Sequence, residues 1–512
     1  MIHLKKNWRF LILILVIVNV LLSFWWLIHG DIHYDIDVSR DFLVIEDIIY
    51  KSHLTLLGPR SGAIAGIFHG PLWFYINVPA FVIGQGNPII IGWFWVILSI
   101  INLFIVFAVT KKIFNPTIAI LTVLLLSANS IINPSVGLKN FYNPYGAVFF
   151  SPIFFYCLYT YLKNHNVKYI LLALLINGFI VQFEIAFGIP ILILTAGLFF
   201  YVTFKHKLIK QLISLLILLI PFSTYIIFEY KHNFLQTRAG INYLTNNSLH
   251  SVIDTGFLLG RLRSAFLDCF AMLAQDSFYL SLFYAVFFFL IFFFIFKKAS
   301  NNHKLAYKLF LYLYIGFWVV SLFYKGGTGN YSWPFLSLII ILLCSFMINL
   351  PKKIFFIFFV PILIYNMVIG LRYIESFNTD VTHRGVNSWA YNLQVAENVY
   401  SSAKGDFGYF IFTPDRFGYQ LRYAMDFAGK KYPQKKSYSF IKKPLTYLII
   451  TDSPKDRSDI SSFDWKISDI KIDRDPEDTS RIDVIKIERY KLSGNDLERL
   501  ANPYLLDSAF LR

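Results

Sequence analysis

The sequence predicts a polytopic α-helical membrane protein of about eleven spans, followed by a C-terminal extracytoplasmic α/β domain. Three observations carry this prediction. Of 512 residues, 56% are hydrophobic and 19% aromatic, more apolar surface than one soluble core can hide. Apolar runs of roughly 20 residues, the length that crosses a bilayer, recur as far as Leu371. Beyond Leu371 the composition changes: residues 372–512 carry 22 basic and 20 acidic side chains, against 25 and 11 in the much longer stretch before them. The expected organisation is therefore a membrane domain over 1–371, whose outer loop at 29–88 carries the chemistry, and a soluble domain over 372–512.

The expected spans are 8–28, 89–110, 116–132, 144–162, 168–185, 187–204, 210–229, 277–296, 305–323, 334–350 and 354–371. The first follows Lys5, Lys6 and Arg9, as a signal peptide would. It is long and lacks a small-residue cleavage site, so it reads as a retained span. The fifth and sixth are close enough to form a re-entrant pair. Alternate connections hold Lys111 and Lys112; Lys163 and Lys168; Lys205, Lys207 and Lys210; Lys297, Lys298, Lys304 and Lys308; and Lys352 and Lys353. These connections carry no Asp or Glu, and the carboxylates up to Leu371 fall at the opposite ends of the spans. The positive-inside rule then puts the N-terminus in the cytoplasm of a plasma-membrane protein and the C-terminal domain outside.

Three outer connections are long or chemically rich: Gly30–Pro88, Tyr230–Asp276 and Tyr324–Trp333. Val38–His53 places Phe42, Ile45, Ile48 and Ile49 at helical spacing, with Arg40, Glu46, Asp47 and Lys51 between them. This stretch and Pro71–Ile83 are expected as short helices along the membrane interface. In the C-terminal domain Phe407–Thr413, Leu445–Thr451 and Asp483–Glu488 read as strands, and Ser388–Ala403 as a helix.

Cys157, Cys269 and Cys344 lie far apart, without metal-type spacing or a paired framework. The net charge of +16 is distributed as inner-face lysines, so nucleic acid is not an expected partner. No Gly-rich nucleotide-binding unit is present.

The acids are the informative residues. Six of the 11 carboxylates before Leu371 fall between Asp31 and Asp47: Asp31, Asp35, Asp37, Asp41, Glu46 and Asp47. Clustering them at a membrane surface costs electrostatic energy, and a catalytic or ion-binding site is the usual reason. Asp35 and Asp37 form a D-x-D pair that is able to share a divalent metal. Arg40 follows Asp37 by one helical turn. Asp37 reads either as a functional carboxylate or as the N-cap of the helix that follows. A second motif, His69-Gly70-Pro71-Leu72-Trp73, starts a segment whose aromatics suit the headgroup level. His69 reads either as an exposed turn histidine or as a phosphate ligand.

Asp37-x-x-Arg40, an interfacial helix and then His69-Gly70-Pro71-Leu72 with aromatics resemble the opening of the GT-C-fold glycosyltransferases that use polyprenyl-phosphate sugars. The match is most similar to the lipid A aminoarabinose transferases and the protein O-mannosyltransferases. The resemblance implies that Asp37 is the catalytic base and Arg40 a phosphate-binding arginine. His69 stands where the family has a phosphate-binding lysine, Gly70 where it has a proline, and Val38 where Glu is usual.

Further candidates lie at the expected outer ends of the spans. Glu184, after Gln182, is either functional or paired with Lys139 or Arg238. Lys325 opens a glycine-rich loop that either approaches a ligand closely or is a plain turn. Lys139, Arg238, Arg261 and Arg263 would meet either a lipid phosphate or ordinary headgroups.

The reaction implied is an inverting, nucleotide-independent transfer from a polyprenyl-phosphate sugar to an acceptor hydroxyl or amine at the outer face. Asp35 and Asp37 would be the catalytic carboxylates, and metal-assisted and metal-free forms both fit the pattern. The rival reading is a lipid-linked glycan flippase. Such transporters usually carry internal repeats and mid-span charges, and this sequence shows neither.

Overall fold

The computed structural model describes residues 6–61, 64–129, 141–245, 254–274, 277–324, 330–377, 380–415, 417–451 and 461–507. Two compact units emerge. One comprises Met1–Trp25, Leu54–Asn77 and Phe94–Ile374; the other Trp26–His53, Val78–Trp93 and Glu375–Arg512.

Each expected span coincides with an apolar helix. Among the described residues seven are long and apolar enough to cross a membrane: Pro88–Ile113, Pro144–Asn164, Ile185–Lys205, Ile209–Lys231, Phe278–Lys298, Asn301–Phe323 and Lys352–Arg372. The other four expected spans are shorter helices, Trp8–Ser23, Pro116–Ala128, Val167–Phe183 and Tyr331–Met347. Local chemistry sets several boundaries. Asn115 caps Pro116–Ala128 by accepting from Ile118 N–H, with Pro116 in the first turn where its missing donor costs nothing. The first helix ends at Ser23, and Trp25–Ile28 forms a separate turn. Between Val167–Phe183 and Ile185–Lys205 stands the single residue Glu184, which caps the second helix by accepting from Ala186 N–H. At this reversal Gly188 lies against the Val181 backbone, where a Cβ would sit 2.5 Å from Cα.

The second unit is built on a five-stranded sheet of order β2-β1-β3-β5-β4. The strands are β1 (Phe407–Phe412), β2 (Ser437–Ser439), β3 (Leu445–Thr451), β4 (Asp478–Ile482) and β5 (Ile485–Lys491). β1 runs parallel to β2 and β3, whereas β5 is antiparallel to β3 and β4. β1 is apolar throughout and buried on both faces, as a covered parallel strand should be. Phe410, Phe412, Leu448 and Ile450 pack on one face with Trp465 and Ile470. The expected strand at Asp483–Glu488 is shifted: Asp483 adopts a left-handed φ of 48° in the β4–β5 turn, and β5 starts at Ile485.

The acidic segment belongs to this same unit. Its helix, Ile36–Tyr50, packs on the helix Tyr419–Gly429. Phe42 is 1% exposed and its ring lies 5.4 Å from that of Tyr423 and 6.1 Å from that of Tyr34. Ile45 and Ile48 are buried alongside. The expectation that this apolar face rests on the membrane interface is therefore corrected. The face is covered by the protein's own aromatics, which offer closer packing than lipid.

Candidate active site

Six clustered carboxylates in the acidic segment resolve into distinct roles. Asp31 is fully buried. Its Oδ2 accepts from Ser388 Oγ at 2.6 Å and from Arg384 Nη1 at 3.1 Å, and its Oδ1 from Ala390 N–H at 3.0 Å. Burial raises its proton affinity and these three donors pull it back, leaving it above the ordinary carboxylate range. Glu46 pairs with Lys430 at 3.6 Å, and Asp47 with Lys51 at 2.7 Å. These three acids thus serve packing and pairing.

Asp35, not Asp37, is the N-cap of Ile36–Tyr50, accepting from Val38 N–H at 2.9 Å. The alternative reading of Asp37 as the cap is thereby replaced. The helix begins one residue before Asp37, which lies in its first turn. Asp35 is nearly buried, and desolvation pushes its carboxyl up to about 7.

Arg40 forms the centre of the remaining group. Its Nη1 donates to Asp37 Oδ1 at 2.6 Å, its Nε to Asp41 Oδ1 at 3.0 Å, and its Nη2 to the same oxygen at 2.7 Å. Burial opposes its charge, but the Asp41 and Asp37 carboxylates outweigh that and hold it firmly protonated. Side-chain exposure separates the two acids: 34% for Asp37 and 4% for Asp41. Asp37 is thus an accessible carboxylate fixed through one oxygen. Among the described residues the arginine keeps one unengaged N–H on each terminal nitrogen by its five-donor geometry.

Each acid of the D-x-D pair already has one oxygen engaged in this arrangement. One Asp35 oxygen caps the helix, one Asp37 oxygen faces a guanidinium, and among the described residues no group of three or more His, Cys, Asp or Glu is placed to hold a metal.

The other unit holds the second motif. His69 is 6% exposed, not the open turn histidine of the bland alternative. Its Nδ1 accepts from Ile185 N–H at 3.3 Å and stands 4.0 Å from Glu184 Oε1. That contact leaves the proton of a neutral ring on Nε2. The chain is clamped on either side: Gly58 N–H donates to His69 C=O, and Gly70 N–H to Gln182 C=O at 2.9 Å. Glu184 is 1% exposed while Arg238 is exposed on Leu235–Thr245, so the alternative in which they pair is not realised. Lys139 and Lys325 lie outside the described residues.

Arg261 is the cation that sequence reasoning undervalued. It is 7% exposed on the helix Thr255–Leu273, donates to the Tyr324 carbonyl, and lies 5.0 Å from the centre of the Phe257 ring and 5.7 Å from that of Tyr324. Its neighbour Arg263 is exposed, the separation expected of two positions on different helix faces. Asn143, just before the helix Pro144–Asn164, is buried and donates to Phe183 C=O at 2.6 Å.

No family model matches this sequence, and no curated protein matches it. Solved structures do. ArnT from Cupriavidus metallidurans bound to undecaprenyl phosphate aligns over 98% of this chain and 100% of its own, with a TM-score of 0.61 at 10% identity. The same enzyme in the apo state aligns over 97% and 99%, with a TM-score of 0.58 at 10% identity. Over nearly its whole length, then, this multi-pass membrane protein has the GT-C fold that it shares with ArnT.

Proposed function

We propose that this protein is a glycosyltransferase that takes a sugar from a polyprenyl-phosphate donor and transfers it, with inversion, to an acceptor hydroxyl or amine at the outer membrane face. The observation that carries the reading is the Asp37–Arg40 pair: an accessible carboxylate held by a partly buried arginine on a fold shared with a protein crystallised with undecaprenyl phosphate.

The chemistry follows from those side chains. An acceptor O–H is a weak nucleophile until a base takes its proton. Asp37 has one oxygen on Arg40 and a second for that proton. The acceptor oxygen attacks the anomeric carbon as the bond from that carbon to the phosphate oxygen breaks. The electron pair leaves with the phosphate, and a single displacement inverts the sugar. The two remaining Arg40 donors serve the phosphate as its charge grows. In the other unit, His69 and Arg261 are candidate anion donors in their own right. Both are buried among fixed partners, so neither loses much side-chain entropy on engaging an anion.

The test is release of lipid phosphate from a panel of polyprenyl-phosphate sugars by the purified protein in nanodiscs, comparing wild type with Asp37→Asn. Release by wild type, reduced by at least about 100-fold in the variant, supports the reading. Equal turnover in the two proteins removes Asp37 as base. No release by folded wild type across the panel removes the transferase reading.

A further inference from the structure

The strand ends at one edge of the sheet gather charge that the proposed reaction does not use. β1, β2 and β3 are parallel and begin at this edge, while β5 ends there, with Leu445 paired to Lys491. The chain entering β1 brings Lys404 and Asp406, and the chain entering β3 brings Lys443. Together with Arg489 and Glu477 these side chains line a cavity of about 560 Å³. That volume lies within the ~300–1,000 Å³ usual for small-molecule sites and far exceeds what a bare phosphate fills.

Four cations and two carboxylates meet in this cavity. Both acids are already engaged. Glu477 accepts from Lys491 at 2.6 Å and lies 3.5 Å from Arg489, and Asp406 accepts from Lys436 N–H at 2.8 Å. Lys443 instead holds its ammonium 4.0 Å from the centre of the Tyr438 ring, and among the described residues neither it nor Lys404 has a carboxylate within ion-pair distance. An anion entering the cavity relieves the mutual repulsion of these cations. The wall is mixed, with the Tyr438 ring, Pro444 and Leu445 beside polar Ser402. Apolar surface interleaved with polar groups suits a sugar ring better than a compact inorganic ion.

We infer that this cavity binds an anionic saccharide, one that bears a carboxylate or a phosphate. The saccharide part rests on the glycosyl-transfer reading, for which such a ligand is an acceptor class; the anionic part does not. The experiment is calorimetric titration of the full-length protein in detergent with digalacturonate, glucose 6-phosphate, cellobiose and inorganic phosphate. Digalacturonate or glucose 6-phosphate should bind, and which of them binds identifies the charged group. Cellobiose should not. Lys404→Gln/Lys443→Gln should weaken binding by about ten-fold or more, the loss expected on removing charge-assisted hydrogen bonds. Neither side chain makes an ion pair among the described residues and Lys443 rests on the Tyr438 ring, so a melting curve of the double variant matching wild type accompanies the titration. Three results overturn the inference: neither charged sugar binding, cellobiose binding equally well, or the double variant binding as tightly as wild type. Inorganic phosphate binding as tightly as the charged sugars overturns its saccharide part. Asp37→Asn should titrate like wild type, so loss of transfer and loss of binding are separately readable.

Discussion

Asp31 and Ser388 are joined by a 2.6 Å hydrogen bond that spans 357 residues of sequence. Ser388 is also the N-cap of the helix Trp389–Ser402, accepting from Tyr391 N–H, so one hydroxyl both starts a helix and holds the acidic segment. Asp31→Ala leaves Ser388, Arg384 and Ala390 N–H without their common acceptor. A loss of about 3 kcal/mol is expected, seen as a lower thermal midpoint in detergent. Asp31→Asn retains acceptor capacity and should cost less. Equal stability of Asp31→Ala and wild type would refute this role.

Asp35 and Asp37 are separable by the same substitution. Asn is as good an N-cap as Asp, so Asp35→Asn should keep the helix and most of the transfer rate. Asp37→Asn should keep stability and lose turnover. Single-turnover rates alongside melting curves would reveal the opposite pattern if the base were Asp35.

The second unit should lose stability as the pH rises through the weakly acidic range. Burial pushes Asp35 and Asp426 up to about 7; around Asp426, Glu46 raises the pKa further while Arg422, Lys51 and Tyr409 act against it. The folded state therefore binds protons more tightly than the unfolded chain. The contribution is fully present below the ordinary carboxylate pKa and is lost progressively up to about 7. Asp426→Asn should flatten that slope and raise the melting temperature above neutrality. A wild-type profile flat between pH 4 and 8, taken as approximate limits, would contradict the assignment.

Gly70 is closed to any side chain. A Cβ there would lie 1.9 Å from Gln182 Oε1. Gln182 does not swing aside freely, because its Nε2 donates to Pro221 C=O at 2.5 Å and to Thr224 Oγ1 at 3.1 Å. Gly70→Ala should cost about 1–3 kcal/mol by overpacking and displace the adjacent His69. Thermal midpoint and transfer rate should fall together. A neutral substitution would show that the Gln182 clamp yields.

Much of the fold was legible because bilayer thickness and charge asymmetry act on the chain locally. Runs such as Phe278–Lys298, closed by Lys297 and Lys298, announce a span without reference to anything distant. β1 and β3 were legible for a similar reason: their continuous apolar runs need cover on both faces. β2 and β4 were not. β2 is three residues long, and β4 is the exposed polar stretch Asp478–Ile482, held by pairing with β5 and not by any pattern of its own.

The candidate site divides along the same line. The sequence by itself put Arg40 one helical turn after Asp37, and that i,i+3 spacing is the one at which the two side chains pair in the structure. Only the tertiary structure decided which acids were structural. Asp31 is spent on Ser388 and Arg384, Glu46 on Lys430, and Asp35 on its own helix end, while Asp37 stays accessible. Likewise only the fold showed Arg261 buried and Arg263 exposed. Burial and long-range partners set what a charged side chain can do, and neither is written in the spacing of neighbouring residues.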